Sequence, residues 1–131
     1  MSAESIVKNA ISNVPKAVAA GVVDMASGLL LSIKTVESHP QRVLDVLAPA
    51  TRELFEGEMV LTIENLFKQA RGIKNDERYF QEILISSTNL WHYFARLKSN
   101  PRVVLTVVTM ADVNMGMLLM KCREIAATET I

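Results

Sequence analysis

The side chains that most often do chemistry are few in this sequence and are not spaced for it. His39 and His92 are the only histidines and Cys122 is the only cysteine, so a zinc site within one chain is not expected. Neither phosphate-binding pattern, G-x-x-x-x-G-K-[ST] or G-x-G-x-x-G, occurs among the five glycines. The string "SIVK", residues 5–8, matches the S-x-x-K of acylating serine enzymes, but the companion motifs are missing. The sequence therefore predicts no catalytic site, no cofactor and no metal.

The segment "LWHYFARL", residues 90–97, offers polar groups that could serve a ligand or a partner. For His92 we favour a half-buried histidine bonded to backbone or water over a pH sensor or a ligand contact. Trp91 and Tyr93 share the opposite face of this strand and are candidate interface anchors. Such a pair is more often part of a core with a polar tip to satisfy, and we favour that interpretation.

The stretch "TMADVNMGMLLMKCREI", residues 109–125, contains four of the seven methionines. A helical wheel places one stripe against the sheet, comprising Met115, Leu118, Leu119, Cys122, Ile125 and Ala126. Met117 and Met120 fall on the far side, where they form either a methionine-rich binding surface or a face covered by the N-terminal helix, which we favour. Gly116 lowers helix propensity by about 1 kcal/mol relative to alanine, so it predicts close packing against a neighbour. Cys122 is interpreted as a buried apolar residue.

The composition is that of a globular chain with no preferred charge. Of the 131 residues, 50% are apolar and 21% are charged, and 14 basic residues balance 14 acidic ones. A zero net charge argues against nucleic-acid binding, which depends largely on Lys and Arg contacts with phosphates. No apolar run reaches the roughly eighteen residues of a membrane span, and the N-terminus lacks a signal-peptide pattern. We expect one cytoplasmic domain without a nucleic-acid or membrane partner.

The first third of the sequence predicts a helix followed by a hairpin. Apolar residues at three- and four-residue steps indicate an amphipathic helix that Ser2 caps and Pro15 ends. The segments "KAVAAGVVDM" and "LLLSIKTV" read as two strands, with Gly28 supplying a positive φ in the turn. Gly21 inside the first strand indicates a bulge, or a helix packed close above it.

The middle of the sequence predicts helix. The string "SHPQ" indicates a helix start capped by Ser38, and Pro49 inside the following pattern predicts a kink or a restart. After Gly57 the apolar pattern resumes toward a stop at Gly72, leaving open whether Gly57 breaks the helix. The resumed stripe comprises Met59, Val60, Ile63, Leu66, Phe67 and Ala70.

The last third predicts three strands and a helix. "RYFQEILISS" and "LWHYFARL" read as a second hairpin, and "VVLTVVTM" reads as a central strand covered on both faces. The final helix is predicted to begin at Asp112, which is a good N-cap type. The simplest assembly is one five-stranded sheet with helices on both faces.

Three stretches resemble the roadblock / dynein light-chain family, in its bacterial type. The first is "AGVVDMASGLLLS", a small-residue strand, an acidic residue, a glycine turn and a second strand. The second is "VVLTVVTMADVNMGMLLMKCREI", an apolar strand, a polar link, and Asn114 and Gly116 opening the final helix. The third is the strand pair "FQEILISSTNLWHYFARL" between them. Together they cover most of the chain.

The resemblance implies a roadblock/profilin-like α/β (α+β) fold with a five-stranded antiparallel sheet in the order 2-1-5-4-3. The first and last helices would lie on one face and the long helix on the other. Residues 1–131 would form a single roadblock-like domain, with an extra helix and loop at about 57–76. The structural motif residues are Asp24, Gly28, Asp112, Asn114 and Gly116.

Members of this family form homodimers, typically through the third strand and the long helix. In the implied order, "FQEILIS" is an edge strand guarded only by Glu82, whereas exposed edges are usually guarded by charges, prolines or bulges. The predicted interface comprises Phe80, Glu82, Ile83, Leu84, Ile85, Leu47, Leu54, Phe55, Met59, Ile63 and Phe67. For the helical residues, packing within their own chain is the alternative.

Three classes of function follow from these observations. The first is a non-enzymatic homodimeric interaction module that binds another protein, with a Ras-like small GTPase as the partner that the resemblance implies for a scaffold or regulator. The alternative is a small-molecule sensor module of the PAS or GAF kind, which would need an apolar pocket with converging polar groups. A small enzyme is a third, and would need paired titratable groups in a cleft.

Overall fold

The computed structural model describes residues 2–36 and 41–131, with the side chains of residues 41, 43 and 44 excepted. In chain order the elements are α1 (Ala3–Asn13), β1 (Ala17–Asp24), β2 (Leu29–Thr35), α2 (Gln41–Glu56), α3 (Glu58–Arg71), β3 (Glu82–Ser86), β4 (Leu90–Arg96), β5 (Val103–Met110) and α4 (Met115–Thr128). The predicted order of helices and strands is confirmed. No helix of the described ranges is long and apolar enough to cross a membrane.

The strands form one antiparallel sheet in the order β2-β1-β5-β4-β3, as predicted. β5 is the central strand, with Leu105 opposite Val22 on β1 and opposite Ala95 on β4. Its side chains are buried on both faces, which explains why its sequence is nearly continuous in apolar residues. β3 pairs with β4 alone among the described strands and is therefore an edge of the sheet.

Each face of the sheet is covered by helices, because side chains alternate along every strand. α1 and α4 lie on one face, where Val22, Tyr93 and Leu105 join Ile6 and Leu118 in the larger core. α2 covers the other face over a smaller core that comprises Val23, Met25, Ala48, Phe55, Phe94 and Val104. The predicted division of strand β4 into two faces is confirmed, with Tyr93 on the first side and Phe94 on the second.

The predicted hairpin between β1 and β2 is confirmed together with its turn motif. The Asp24 carboxylate accepts hydrogen bonds from the Ala26 N–H at 3.0 Å and the Ser27 hydroxyl at 2.8 Å. The Ser27 bond, followed by the Ala26 bond, lowers the pKa of Asp24 below its ordinary value. Gly28 has a φ of +74°, which side chains rarely adopt. The bulge expected at Gly21 lies one residue later, between Val22 and Val23.

The helical middle of the chain breaks at Gly57. The predicted cap at Ser38 lies outside the described residues. α2 runs through Pro49 without a restart, contrary to that part of the prediction, and ends at Glu56. α3 then begins at Glu58 as a separate helix and ends, as predicted, at Gly72, whose φ of +66° closes its last turn.

Helix α4 begins later than predicted, because its N-cap is Asn114 and not Asp112. The Asn114 side chain accepts from the Met117 N–H at 3.1 Å. Asp112 instead forms an ion pair with Lys16, 2.5 Å away, which lowers the pKa of its carboxyl group. The predicted close packing at Gly116 is wrong, since a Cβ there would meet no atom within 4 Å other than Asn114 Oδ1.

The far side of α4 is also open. Met117 and Met120 were expected to lie beneath the N-terminal helix, but both side chains are exposed. The sheet-facing stripe is otherwise as predicted, with Leu118, Cys122 and Ile125 buried. α1 does contact α4, but it packs beside that stripe and leaves the two methionines uncovered.

Strand β3 is shorter than the stretch predicted for it. It begins at Glu82, four residues after the predicted start at Arg78. Backbone groups before Glu82 form hydrogen bonds with side chains. The Tyr79 N–H donates to Glu64 on α3, and the Phe80 carbonyl accepts from Arg96. Backbone groups held by side chains cannot extend the ladder, which explains the later start.

Gly57→Ala should destabilise the protein by about 1–3 kcal/mol through overpacking. A Cβ at this buried position would lie 2.6 Å from the Glu53 carbonyl oxygen, which is backbone and cannot rotate away. Without that clash, alanine would stabilise by about 0.4–1 kcal/mol, because it restricts the unfolded chain. Urea unfolding decides the sign, and a variant as stable as the parent would show that the break between α2 and α3 tolerates a side chain.

Candidate interaction surface

Helix α3 faces the rest of the chain with its charged residues. Its buried residues are Glu64 and Lys68, whereas its large apolar side chains point away. Glu64 accepts from the Tyr79 N–H at 2.9 Å and from Arg78 Nη1 at 3.3 Å. Lys68 Nζ donates to the carbonyls of Asn75 and Glu77, at 3.0 and 2.5 Å. These bonds hold the loop of residues 72–81 against the helix and satisfy both buried charges.

The outward side of α3 is a continuous apolar stripe, which we call the α3 patch. At about 100° per residue, Met59, Ile63 and Leu66 point away from Glu64 and Lys68, and Phe67 lies at the border between the two faces. The patch comprises Met59, Ile63, Leu66 and Phe67, which are 70%, 44%, 60% and 47% exposed. Packing within their own chain, the alternative considered for these residues, is therefore wrong. Soluble proteins rarely leave such a stripe uncovered.

Aromatic rings extend this surface toward the edge strand. The Phe67 and Tyr79 rings lie 5.8 Å apart between centroids, and the Arg71 guanidinium lies 5.7 Å from the Phe67 centroid. Phe80, on the approach to β3, is also exposed. The loop of residues 72–81, which Glu64 and Lys68 hold by hydrogen bonds, thus joins the helical and strand halves of the predicted interface.

The predicted interface residues on α2 differ in solvent exposure. Leu54 is exposed and Leu47 is half-buried, so both remain accessible to a partner. Phe55 is fully buried, because its ring packs edge-on against Phe94 with centroids 6.4 Å apart. The prediction that Phe55 lies in a dimer interface is therefore wrong, since it belongs to the core beneath α2.

The prediction that β3 is an edge strand is confirmed, but its apolar side chains alternate between half-buried and exposed. Ile83 and Ile85 are half-buried against the smaller core, whereas Leu84 on the opposite face is exposed. Glu82 is engaged within the chain: Arg123 on α4 donates to it through Nε at 3.0 Å and Nη2 at 2.8 Å, and the Tyr93 hydroxyl donates at 2.5 Å. The strand therefore offers a partner its backbone edge and Leu84.

Burial and the contacts around Glu82 shift the pKa of three groups. The Arg123 hydrogen bond, followed by that of Tyr93, lowers the pKa of Glu82. Burial and the nearby carboxylate raise the pKa of Tyr93. The Cys122 thiol, also buried, has its pKa raised to about 12, chiefly by desolvation, so it stays protonated and inert at neutral pH.

The structure brings Ser87 and His92 together, which the sequence did not predict. Ser87 Oγ lies 2.8 Å from His92 Nε2 across the β3–β4 hairpin. Burial lowers the pKa of this half-buried histidine, and the predicted bond to backbone or water is instead one to a side chain. Within the described residues, no group of three His, Cys, Asp or Glu side chains is placed to hold a metal ion.

Buried Arg96 is a second residue whose role the sequence did not reveal. Its Nη1 donates to Glu56 Oε2 at 3.0 Å and to the Pro101 carbonyl at 2.9 Å, and its Nε donates to the Phe80 carbonyl at 2.7 Å. Its guanidinium also lies 5.1 Å from the Phe55 ring centroid. The one available signal was an arginine closing an otherwise apolar strand.

Comparison with solved structures shows the roadblock/LC7 fold. A structure described as MglB with tetrameric arrangement matches with a TM-score of 0.66 at 18% identity, over 95% of this chain and 82% of that one. The gliding protein MglB from Thermus thermophilus gives 0.65 at 16% identity, over 95% and 82%. A roadblock/LC7 domain from Streptomyces avermitilis gives 0.65 at 12% identity, over 96% and 92%.

The resemblance to the roadblock family is therefore confirmed at the level of the fold. No protein-family model matches the sequence. No curated protein sequence matches it either. The partners and assembly of this chain must be argued from its own surface.

Glu82→Gln should destabilise the protein by less than about 1 kcal/mol at neutral pH, as expected for a partly exposed ion pair. The lowered pKa means that the ionised form stabilises the fold above the ordinary value of 4.5, and this contribution is lost as the pH falls through the folded-state pKa. The stability difference between parent and variant should therefore close below pH 4.5.

Chemical denaturation at several pH values measures that difference. Glu4→Gln, which removes a carboxylate from an exposed pair with Lys8, is the matched control. If the difference in unfolding free energy between parent and Glu82→Gln stays constant down to the acid transition, Glu82 contributes through packing and not through its charge.

Proposed function

We propose that this protein is a non-enzymatic, homodimeric protein-interaction module. The proposal rests on which face of α3 is buried. Glu64 and Lys68 face the rest of the chain, and the apolar α3 patch is exposed to solvent. A helix that turns its apolar stripe outward gains stability only when another surface covers that stripe.

The second support is the edge strand. Among the described strands β3 pairs with β4 alone, and Leu84 is exposed at this edge. Edge and patch are linked by the loop of residues 72–81, so a single twofold contact would cover both. One structural neighbour is described as having a tetrameric arrangement, which supports self-association as a property of this fold.

A second protein partner is the finer part of the proposal. The resemblance to roadblock proteins, several of which are scaffolds or regulators of Ras-like small GTPases, makes such a GTPase the leading candidate. Titration calorimetry with the Ras-like GTPases of the same organism, each loaded with GDP or a GTP analogue, tests this. Failure of every one to bind would remove the GTPase and leave the dimer standing.

The sensor alternative receives less support from the described residues. A PAS- or GAF-like site would be an enclosed apolar pocket. A cleft beside the end of α2 is instead open, and more than half of its lining residues are arginines and carboxylates.

The absence of catalysis is tested most sharply at Ser87, which has a histidine nitrogen at hydrogen-bond distance. Among the described residues no carboxylate bonds to His92 to orient it, so the pair lacks the third member that activates a serine. A fluorophosphonate probe should therefore leave the protein unlabelled in intact-mass spectrometry. Stoichiometric labelling that disappears in Ser87→Ala would establish a nucleophile and overturn the non-enzymatic proposal.

Leu66→Lys should weaken the homodimer at least tenfold, because it would place an ammonium group within a buried apolar contact. Leu29→Lys is the matched control, since Leu29 is equally exposed, at 60%, on the opposite edge of the sheet. Lysine at Ile83 or Ile85 is less informative, because these half-buried side chains also support the core of their own subunit.

Sedimentation velocity over a concentration series measures the dimer constant for the parent and both variants. A parent that stays monomeric at micromolar concentration would refute the homodimer. Equal constants for the two lysine variants would exclude the α3 patch from the interface.

A further inference from the structure

A cleft with a volume of about 1530 Å³ lies beside the end of α2. The loop of residues 76–81, the end of β1 and the turn before β5 complete its walls. Its lining is dominated by arginines, namely Arg52, Arg71, Arg78, Arg96 and Arg102. The carboxylates in the same lining are Glu56, Asp76 and Glu77. The cleft therefore carries an excess of positive charge, although the chain as a whole is neutral.

The charges in the cleft are only partly neutralised by the chain. Arg96 pairs with Glu56, and Arg78 pairs with Glu64 on α3. Arg52 and Arg102 are exposed at the rim and form no ion pair among the described residues. Neither guanidinium is held by a carboxylate at ion-pair distance, although the charge of Arg102 contributes to lowering the pKa of Asp24.

The wall of the cleft is also short of hydrogen-bond acceptors. Arg96 is 5% exposed, yet its Nη2 has no partner in the described part of the chain. The buried hydroxyl of Tyr79, another residue that lines the cleft, has none either. Buried donors without acceptors are rare, because each one forfeits the hydrogen bonds that water would give it. Both atoms lie below the accessible surface, so an acceptor-rich group in the cleft would reach them only if these side chains shift.

We infer that this cleft binds a small molecule through an oxyanion group, a phosphate or a carboxylate. Guanidinium groups match both anions with paired hydrogen bonds, and a charge-assisted bond is about twice as strong as a neutral one. Arg52 and Arg102, which are exposed and outside any ion pair of the described residues, would supply the main contacts, whereas the charge of Arg96 is balanced by Glu56. The cleft shares Tyr79 and Phe80 with the proposed dimer surface. The inference rests on the charges of the cleft and not on dimerisation, so a failure of the dimer would leave it standing.

Calorimetry with the full chain tests the inference, using pyrophosphate for the phosphate source and citrate for the carboxylate source. Ionic strength is held constant with sodium chloride. Saturable binding of at least one probe is expected with a dissociation constant of about 1 mM or tighter, and the tighter probe identifies the source. Arg52→Gln and Arg102→Gln should each weaken it roughly tenfold.

Arg42→Gln is the matched control, because it removes the same charge from an exposed position ten residues, or about 15 Å, before Arg52 on α2. An equal loss in this variant would reveal a general charge effect and overturn the site. Absence of binding by both probes would overturn it as well. An acidic partner protein that binds the cleft while both probes fail would reassign it to protein docking, against the inference.

Tyr79→Phe separates ligand binding from structure. Removing a hydroxyl that has no partner should leave urea stability equal or higher in the absence of anion, while weakening the bound probe severalfold. Loss of stability without anion would mean that the hydroxyl already has a partner, and the shortage of acceptors would disappear. Unchanged probe affinity in a stable variant would remove Tyr79 from the site.

Discussion

The ion pair between Arg96 and Glu56 fixes the geometry on which the functional half of the molecule depends. Arg96 lies at the end of β4, and through one guanidinium it binds the last residue of α2, the turn before β5 and the backbone that leads into β3. Such a pair is costly to desolvate, and removal of one partner typically costs about 3–5 kcal/mol. The main effect of this ion pair is to position the chain. It fixes the last residue of α2 and therefore the point at which α3 begins.

That departure point explains the polarity of α3. Gly57 turns the chain immediately after Glu56, and the new helix meets a loop with carbonyl and N–H groups to satisfy, where α2 had met an apolar sheet. The side chains suited to such a surface are charged, so Glu64 and Lys68 face inward. The apolar stripe is consequently left outside. The surface proposed for association is thus a product of how the loop is held.

The sheet could be predicted from the sequence because its signals are local and periodic. The apolar run of β5, the alternation in β4 and the positive φ of Gly28 each carry their own physical cause. The position of α3 was different, since its period of 3.6 indicates a helix but not which face is buried. Asp112 and Asn114 are both good N-cap types, and only the Lys16 ion pair shows why the second residue caps. The burial of Phe55 and the pairing of Ser87 with His92 likewise depend on tertiary contacts between elements.

Tyr79 connects the two surfaces on which the proposals rest. Its ring packs against Phe67 of the α3 patch, and the same residue lines the arginine cleft. Its N–H donates to Glu64, so a shift of Tyr79 would disturb the hydrogen bonds that hold the loop of residues 72–81 against α3. Any factor by which an anion changes the association constant of the chain must equal the factor by which association changes anion affinity. Measuring anion affinity in the monomeric and associated forms therefore gives the energetic coupling between the two surfaces from either side.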